Sequence, residues 1–241
     1  MRKGDTYTIL FAAAVCVACS IALSATSSLL KARQDREVEL DRKMNVLKAL
    51  GVQLADAQGK RISGDEVEKI FADHITEVVL DAATGKVLPG VTSSQITPDE
   101  LAHKLKLPLY IWKDGGEISK YAFPVSGKGL WSTIYGYLAL DRDLSTVIGI
   151  TFYRHGETPG LGGEISTDKF QAEFKGKKVF ENGKLLRLEV VKGKVTDKYP
   201  DGNDHAVDGI SGATLTGKGL NHFINQDLEN YDKYFTGIRK G

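Results

Sequence analysis

Residues 109–125, LYIWKDGGEISKYAFPV, carry the clearest indication of the fold. Two runs rich in β-branched, aliphatic and aromatic residues, 109–113 and 118–125, flank the sequence Asp-Gly-Gly at 114–116. Glycine adopts left-handed backbone conformations without a steric cost, and such residues favour tight turns. The arrangement therefore predicts a β-hairpin.

Further strands and helices are predicted around this hairpin. Residues 134–140 and 147–154 flank Asp-Arg-Asp at 141–143 and predict a second hairpin, and residues 186–192 predict another strand. The helical patterns comprise residues 35–50, two helices that begin after Ser63 and Thr97, residues 167–175, and a long last helix from about Ser211 to Phe235. Hairpins combined with such helices predict an α+β fold with a mainly antiparallel sheet.

Local signals support the predicted helix ends. Ser63 and Thr97 each precede a glutamate by three residues, which is the spacing of a capping box. Gly51 follows the helix predicted at 35–50, at the position where glycine commonly ends a helix. The last helix carries one apolar stripe, formed by Leu220, Phe223, Ile224, Tyr231 and Phe235.

The composition is that of an ordinary globular protein. The chain has 241 residues, of which 41% are hydrophobic and 26% charged, and its formal net charge is +1. This length suffices for one or two domains with a sizeable core. Nucleic-acid binding usually needs a basic face, which the balanced charge does not indicate. The two cysteines, Cys16 and Cys19, lie in an apolar run and are expected to pack as small hydrophobic residues.

The N-terminal segment is long and apolar enough to cross a membrane. No charged residue occurs from Thr6 to Leu30. At about 1.5 Å per residue, a helix of that length exceeds the roughly 30 Å of a bilayer's hydrocarbon core. We predict a single transmembrane helix. A cleaved signal peptide is the alternative, because Ala-Leu-Ser at 22–24 is an acceptable cleavage site after a basic start.

These patterns divide the chain into three predicted segments. An N-terminal tail with the transmembrane anchor occupies residues 1–34, a helical and mixed lead-in occupies 35–108, and the sheet domain occupies 109–241. More lysine and arginine follow the anchor than precede it, which favours a cytoplasmic C-terminal domain. Long domains cross membranes largely regardless of flanking charge, so the charges leave the orientation open.

Two glycine-rich segments are candidate ligand sites. GETPGLGGE, residues 156–164, directly follows the strand predicted at 147–154, and its glycines and proline predict an irregular loop with accessible amides. Such a loop can surround a planar or anionic ligand, although it is also typical of a structural turn. Its spacing differs from the G-x-G-x-x-G pattern of dinucleotide-binding folds.

The second segment, DGISGATLT at 208–216, leads into the last helix. A helix start offers unpaired N–H groups and the positive end of the helix dipole, which together suit a phosphate. Ser211 is predicted to cap this helix and Thr214 to lie in its first turn. A capped helix with a glycine-rich lead-in is the purely structural alternative.

The sequence DGISGAT, residues 208–214, resembles the flavinylation motif of FMN-binding domains, in which FMN is joined through its phosphate to the final threonine. GETPGLGG at 156–163 and GKGLW at 127–131 extend the similarity to the C-subunit family of sodium-translocating NADH:quinone oxidoreductases. The resemblance spans the anchor, the middle strands and the last helix. Residues 51–108 carry no motif of this family.

The resemblance implies a set of FMN-binding residues, and no two of the five histidines have the spacing of metal ligands, so no metal site is predicted. Thr214 would carry the cofactor as a covalent phosphoester. The other implied residues are Asp208, Ser211, Gly212 and Ala213 of the motif that a flavin transferase recognises; Glu157, Thr158, Gly160 and Leu161 along the flavin; Trp131 near the ring; and Lys192 near the phosphate or a polar ring edge. For Trp131 core packing, and for Lys192 a solvated strand end, remain open alternatives.

The resemblance also implies a role and a location. The chain would relay electrons between neighbouring redox subunits and would not be catalytically complete alone. Its partners would be the other subunits of the complex, a flavin transferase and the membrane, with no nucleic acid. The implied topology is a single pass through the inner membrane, with a cytoplasmic tail and with the FMN-binding domain, residues 109–241, in the periplasm.

Parts of the sequence also suggest three other functions. The G subunit of the related ferredoxin:NAD electron-transport complex is an alternative of the same class. A membrane-anchored serine hydrolase is suggested by GISGA at 209–213, which nearly matches G-x-S-x-G but ends in alanine. A cation site at residues 201–208 is the third, and it lacks the spacing and closing glutamate of an EF-hand loop.

Overall fold

The computed structural model describes residues 3–55 and 59–240. Contacts within the chain divide it into two units, Met1–Arg42 and Lys43–Gly241. Residues 1 and 2, which belong to the predicted N-terminal tail, lie outside the described residues.

The described residues of the first unit, 3–42, belong to a long helix. Helix α1 extends over Lys3–Ala49, so the anchor predicted at 6–30 and the helix predicted at 35–50 are one continuous helix. Among the described residues, it is the one helix long and apolar enough to cross a membrane, with a mean hydropathy of 2.3 in its most apolar window. Its end is as predicted: Gly51 has a φ of +80°, and Val52 N–H donates to Leu47 O, which is a glycine-based helix end.

A five-stranded antiparallel sheet forms the centre of the second unit, in the order β1-β2-β3-β4-β5. Its strands are β1 (Ile75–Asp81), β2 (Lys106–Asp114), β3 (Glu117–Lys128), β4 (Thr133–Asp141) and β5 (Val147–Arg154). Both predicted hairpins are confirmed, since β2 pairs with β3 and β4 pairs with β5. Strand β1 was not predicted. It pairs with β2, so the sheet continues across residue 108, where one domain boundary is predicted.

Two short helices precede β1 and β2. Helix α2 (Gly64–His74) begins after Ser63, whose hydroxyl accepts a 3.2 Å hydrogen bond from Glu66 N–H. Helix α3 (Pro98–Ala102) begins after Thr97, whose hydroxyl accepts a 3.3 Å hydrogen bond from Glu100 N–H. Both residues are therefore N-caps as predicted, and at Thr97 the Glu100 carboxylate also accepts from Thr97 N–H, which completes a capping box.

Beyond β5 the elements are mostly shorter than the sequence pattern predicts. In chain order they are α4 (Asp168–Ala172), β6 (Phe180–Glu181), β7 (Lys184–Leu185), β8 (Glu189–Val190), α5 (Val195–Lys198), β9 (Ala206–Val207) and α6 (Thr214–Lys240). Of the strand predicted at 186–192, the residues Glu189–Val190 form a strand, β8, which pairs in parallel with β9, and the rest of that prediction is wrong. The last helix begins at Thr214 instead of Ser211 and ends at Lys240 instead of Phe235.

Side chains of α6 bond to the backbone on one edge of the β8 segment. The side-chain amide of Asn225 on α6 bonds to both the N–H and the carbonyl of Leu188, and Asn221 makes the same pair of bonds with Val190. On one edge of this segment, helix side chains therefore satisfy the backbone groups of Leu188 and Val190, as burial of such groups requires. On the other edge, the amides of Glu189 and Val191 donate to His205 O and Val207 O.

Helix α6 packs across β3 and encloses the main core. The ring centroid of Phe123 on β3 lies 4.3 Å from that of Tyr231 on α6. Further along the same face of β3, Gly127 has no side chain, and a Cβ there would overlap with Phe223. This glycine lets the first half of α6 approach the end of β3, which brings residues 128–132 next to the helix. The predicted α+β class, with an antiparallel sheet and a long C-terminal helix, is confirmed.

Candidate functional site

Three connecting segments meet at the start of α6. They are residues 129–132 between β3 and β4, residues 155–163 after β5, and residues 208–213 before α6. The first and second segments share hydrogen bonds through Glu157, and the second and third touch through Leu161 and Gly212. Residues far apart in the sequence thus form one site.

Thr214 is the first residue of α6 and is exposed to solvent. The amide of Gly217 donates a 3.0 Å bond to Ala213 O, so the amides of residues 214–216 precede the hydrogen-bonded part of the helix. At a helix start such amides are available to an external acceptor, and the helix dipole favours a negative charge there. The prediction that Thr214 lies in the first turn is confirmed.

The predicted capping role of Ser211 is wrong. Ala213 N–H donates a 3.1 Å bond to Ile210 O, and Gly212 has a φ of +73°, so residues 210–213 form a turn with glycine at its third position. The carbonyl of Ala213 then accepts the bond from Gly217, which places Ala213 at the cap position. Ser211 is exposed at the tip of this turn.

Glu157 is buried, with 5% of its surface exposed. Its carboxylate accepts hydrogen bonds from the backbone amides of Leu130 (3.3 Å), Trp131 (2.9 Å) and Ser132 (3.4 Å). On its other side it accepts a 2.6 Å bond from the hydroxyl of Thr216 on α6. The carboxylate thus joins the loop between β3 and β4 to the first turn of the helix.

These bonds also determine the charge of Glu157. Burial opposes its ionisation, but the hydroxyl of Thr216 and the amides of Trp131, Leu130 and Ser132 together outweigh burial and lower the pKa of Glu157 below its usual value. The side chain is therefore an anion at neutral pH, and its four donors stabilise it as such.

Glycines permit the close approach of the three segments. A Cβ on Gly162 would lie 2.6 Å from the Thr216 hydroxyl, and one on Gly129 would lie 2.6 Å from a carboxylate oxygen of Glu157. A Cβ on Gly212 would lie 2.8 Å from Cδ2 of Leu161. Any side chain at these positions would force the segments apart, because Cβ contacts under 3 Å require a shift of the neighbour.

The loop after β5 is a compact turn. The carbonyl of Thr158 accepts from the amides of Leu161 (3.1 Å) and Gly163 (2.9 Å), and Gly160 has a φ of +74°. Thr158 and Gly160 are exposed, and Leu161 is 44% exposed although it is apolar.

Exposed apolar side chains surround the helix start. Trp131 is 70% exposed, Leu215 is 56% exposed, and Leu130 and Leu161 are also exposed. Leu215 adjoins Thr214 in the chain, Leu161 contacts Gly212, and the loop of Trp131 is bonded to Glu157. Apolar surface beside a phosphate-compatible helix start suits a planar aromatic ligand that carries a phosphate.

Asp208 is bonded to residues outside the motif, and Lys192 lies on an exposed bend. The carboxylate of Asp208 accepts from Lys194 Nζ (2.6 Å) and Val195 N–H (2.7 Å), and the Asp208 amide donates to Glu173 (2.8 Å). The Lys194 bond, followed by the Val195 amide, lowers the pKa of Asp208. Lys192 is exposed in a bend two residues past the end of β8, so the predicted strand end at Lys192 is wrong.

Sequence reasoning missed Thr216, which is 1% exposed. A signal for it existed: Thr216 precedes Leu220 by four residues and so extends the apolar stripe of α6 with a polar side chain. A polar residue on a buried helix face needs a hydrogen-bond partner. In the described part of the chain, no group of three or more potential metal ligands occurs, so the cation-site alternative has no structural support.

Comparison with known proteins agrees with this geometry. Residues 129–229 match the family model of the FMN-binding domain. The chain is 32% identical to the C subunit of the Na(+)-translocating NADH-quinone reductase from Pseudomonas aeruginosa, with 100% of this chain and 98% of that protein covered. The corresponding Vibrio campbellii protein is 35% identical, with 84% of this chain and 82% of the relative covered.

A solved structure is also similar. The crystal structure of the C subunit of this reductase from Parabacteroides distasonis matches with a TM-score of 0.73 and 32% identity, covering 86% of this chain and 97% of that chain. These relatives are all C subunits, so the G-subunit and serine-hydrolase alternatives gain no support from them. The chain therefore belongs to the C-subunit family of Na(+)-translocating NADH-quinone reductases, an oxidoreductase complex, and contains an FMN-binding domain.

Proposed function

We propose that this chain carries FMN covalently on Thr214 and relays electrons between neighbouring redox subunits of the complex. The observation that carries the proposal is the position of Thr214. It is the final residue of the DGISGAT motif, it is exposed, and it begins a long helix whose first amides precede the helical hydrogen bonds.

The residues around Thr214 fit such a cofactor. The helix start supplies donors for the phosphate, and Leu161, Leu215 and Trp131 supply apolar surface for the ring. Gly212, at which a Cβ would meet Leu161, leaves the lead-in turn close to that surface. In this proposal Thr158 and Gly160 shape the loop that carries Leu161, and Glu157 acts from beneath, since its carboxylate faces the protein interior.

Asp208 and Lys192 take different roles in the proposal. The carboxylate of Asp208, held by Lys194 and Val195, orders the segment that leads into the motif. Lys192 is an exposed cation on the bend that follows β8, and we assign it to the phosphate or a polar ring edge.

Attachment exchanges one bond to phosphorus for another. The hydroxyl oxygen of Thr214 bonds to the flavin-side phosphorus while the bond from that phosphorus to a leaving group breaks, and the hydroxyl proton passes to a base. A flavin dinucleotide is a suitable donor class, because its pyrophosphate bond breaks to release a nucleoside monophosphate. A separate flavin transferase supplies the base and the donor site, and the first turn of α6 stabilises the remaining phosphate charge.

When bound, FMN supplies a centre that accepts and releases electrons. The chain's own residues hold it at one place, cover part of its surface and leave the rest accessible to neighbouring subunits. The relay role is supported by membership of an oxidoreductase complex and by a sequence without a dinucleotide fingerprint.

The proposed location is the inner membrane, with α1 as a single span and with the FMN-binding domain, residues 109–241, in the periplasm. The length and apolar character of α1 support the span, and the family match at residues 129–229 supports the domain. A covalent bond suits a cofactor outside the cytoplasm, where a dissociated flavin would not be replaced.

The proposal is tested on full-length protein produced together with a flavin transferase. The intact mass should increase by one FMN ester, and a tryptic map should place the added mass on Thr214. Thr214→Ala should yield folded protein without flavin, and Thr214→Ser should retain some attachment because it keeps a hydroxyl. Flavin on Ser211 or Thr216, or an unmodified peptide from a yellow protein, would reject covalent attachment at Thr214.

A further inference from the structure

We infer that Thr216 and Glu157 are positioning residues for flavin attachment: their buried hydrogen bond sets the orientation of the first turn of α6 and thereby the position of the Thr214 hydroxyl. This inference rests on the proposed function. It assigns to Thr216 a role in flavin transfer, and it moves Glu157 from the flavin surface to the support beneath it.

The helix geometry links the two threonines. At 3.6 residues per turn, a side chain two positions further along points to nearly the opposite side of a helix. Thr214 is accordingly exposed, whereas Thr216 is 1% exposed and faces Glu157. An inward bond at Thr216 therefore fixes the rotation of the first turn about the helix axis, and with it the direction in which Thr214 projects.

The other side of the carboxylate is equally fixed. Glu157 accepts from the amides of Leu130, Trp131 and Ser132, which hold it against the loop between β3 and β4. That loop in turn lies against α6, because a Cβ on Gly219 would overlap with the backbone at Lys128. Glu157 is thus a shared acceptor between a loop anchored in the sheet and the turn that begins with Thr214.

Close packing prevents another arrangement of these groups. A Cβ on Gly162 would lie 2.6 Å from the Thr216 hydroxyl and 2.8 Å from a carboxylate oxygen of Glu157. A buried carboxylate needs its full set of donors, since an ionised group that loses a partner in the interior carries a large desolvation cost. When the Thr216 hydroxyl is removed, the carboxylate has one donor fewer, and the helix turn is free to move relative to the loop.

A positioning role and a purely structural role of Thr216 and Glu157 predict different results. A structural role lowers the stability of the fold and leaves transfer to folded protein unchanged. A positioning role lowers the turnover number of flavin transfer to folded protein, because misplacing a reacting atom by about 1 Å can lower a rate by about 100-fold. The motif that a transferase meets, residues 208–214, is chemically unaltered by either substitution, so the KM for the protein should remain within about twofold.

The experiment measures kcat and KM of flavin transfer to full-length, flavin-free protein with a purified flavin transferase and its flavin nucleotide. Thr216→Val replaces the hydroxyl by a methyl group of similar size, and we expect kcat to fall at least about tenfold. Thr216→Ser restores the hydroxyl and should return kcat to within about threefold of wild type. Thr151→Val is the matched control. Thr151 on β5 is 2% exposed, and its hydroxyl accepts from the N–H of Tyr137 on β4. Loss of this hydroxyl should affect stability alone.

A double-mutant cycle with Glu157→Gln tests whether the two residues act through their shared bond. If they do, the double variant should transfer flavin about as slowly as the slower single variant, because one interaction is lost only once. Additive losses would overturn the inference, as would a wild-type kcat for folded Thr216→Val. If Thr216→Val does not fold, Thr216→Ser and Thr216→Ala, which differ only by the hydroxyl oxygen, replace it in the comparison, and equal kcat values for these two would overturn the inference.

The same measurements separate this inference from the proposed function. If wild-type protein takes up no flavin on Thr214, the proposed function fails. If wild-type protein is flavinylated on Thr214 while folded Thr216→Val matches it in kcat, the positioning inference alone fails.

Discussion

The side-chain amide of Asn225 forms two hydrogen bonds of 2.8 Å with Leu188, donating to its carbonyl and accepting from its N–H. Asn225 is 5% exposed, and Leu188 is also buried.

Asn225→Ala would leave both backbone groups of Leu188 without these partners. A buried unsatisfied group costs about 1–3 kcal/mol, so we expect the free energy of unfolding to fall by roughly 2–4 kcal/mol. Urea unfolding measures this change. Gln226→Ala, at an exposed position on the same helix, is the control and should change stability by less than about 0.5 kcal/mol.

Two glycines of α6 should respond in opposite directions to alanine. Alanine normally stabilises a helix by up to about 1 kcal/mol relative to glycine, and Gly237, with no atom within 4 Å of a Cβ placed there, should follow this rule. At Gly219 a Cβ would overlap with Lys128 O and lie 3.2 Å from Gly129 Cα. Gly219→Ala should therefore destabilise by about 1–3 kcal/mol through overpacking. Thermal unfolding of the two variants checks the signs, and stabilisation by Gly219→Ala would contradict the observed closeness of helix and loop.

The lowered pKa of Glu157 predicts how its contribution depends on pH. Burial opposes ionisation, but the bonds from Thr216 and three amides prevail, so the folded-state pKa lies below the unfolded value. The stability that Glu157 contributes is therefore present above its unfolded pKa and is lost as pH falls toward the folded one. We expect Glu157→Gln to be less stable than wild type at pH 7 and the difference to shrink as the pH is lowered below about 4.5. Chemical unfolding at several pH values measures it, and a difference that is constant with pH would contradict the assignment.

Leu161 tests the proposed flavin surface. Leu161→Asp would place a charge on the exposed apolar surface beside Gly212. Flavin should still attach to Thr214, but its absorption spectrum or midpoint potential should change, because a nearby negative charge disfavours the reduced, more negative flavin. Leu105→Asp makes the same chemical change at a leucine of similar exposure that precedes β2, and it should leave both properties unaltered. If the two variants give identical flavin spectra and potentials, the loop at 156–163 does not contact the ring.

The anchor prediction is tested on the protein in cells. A retained α1 should keep the chain in the membrane fraction after a high-salt wash, because apolar burial does not weaken with ionic strength as surface charge contacts do. N-terminal sequencing should begin at Met1 or Arg2. A mature protein that begins at Ala25 would show that the apolar part of α1 is a cleaved signal peptide.

Features that depend on local patterns can be predicted from the amino-acid sequence of this chain. The alternation and turn residues of 109–154 predicted both hairpins, and the capping sequences at Ser63 and Thr97 predicted two helix starts. The uncharged run in α1 and the motif that ends at Thr214 can also be recognised from the sequence alone. These features are local, because turns, caps and motif chemistry involve residues within a few positions of one another.

The residues that support the site become apparent from the packing of sheet and helix. Strand β1 depends on pairing with β2, which no local pattern reveals. The segment 186–192 is bonded on one edge by Asn221 and Asn225 of α6 and pairs as a strand on the other edge over Glu189–Val190, so the predicted strand is too long. Glu157 reads as a loop residue in the sequence, yet its carboxylate is buried between Trp131 and Thr216, which are 26 and 59 positions away. Contacts over such separations arise only when the packing of sheet and helix brings the segments together, and that packing leaves no local pattern in the chain.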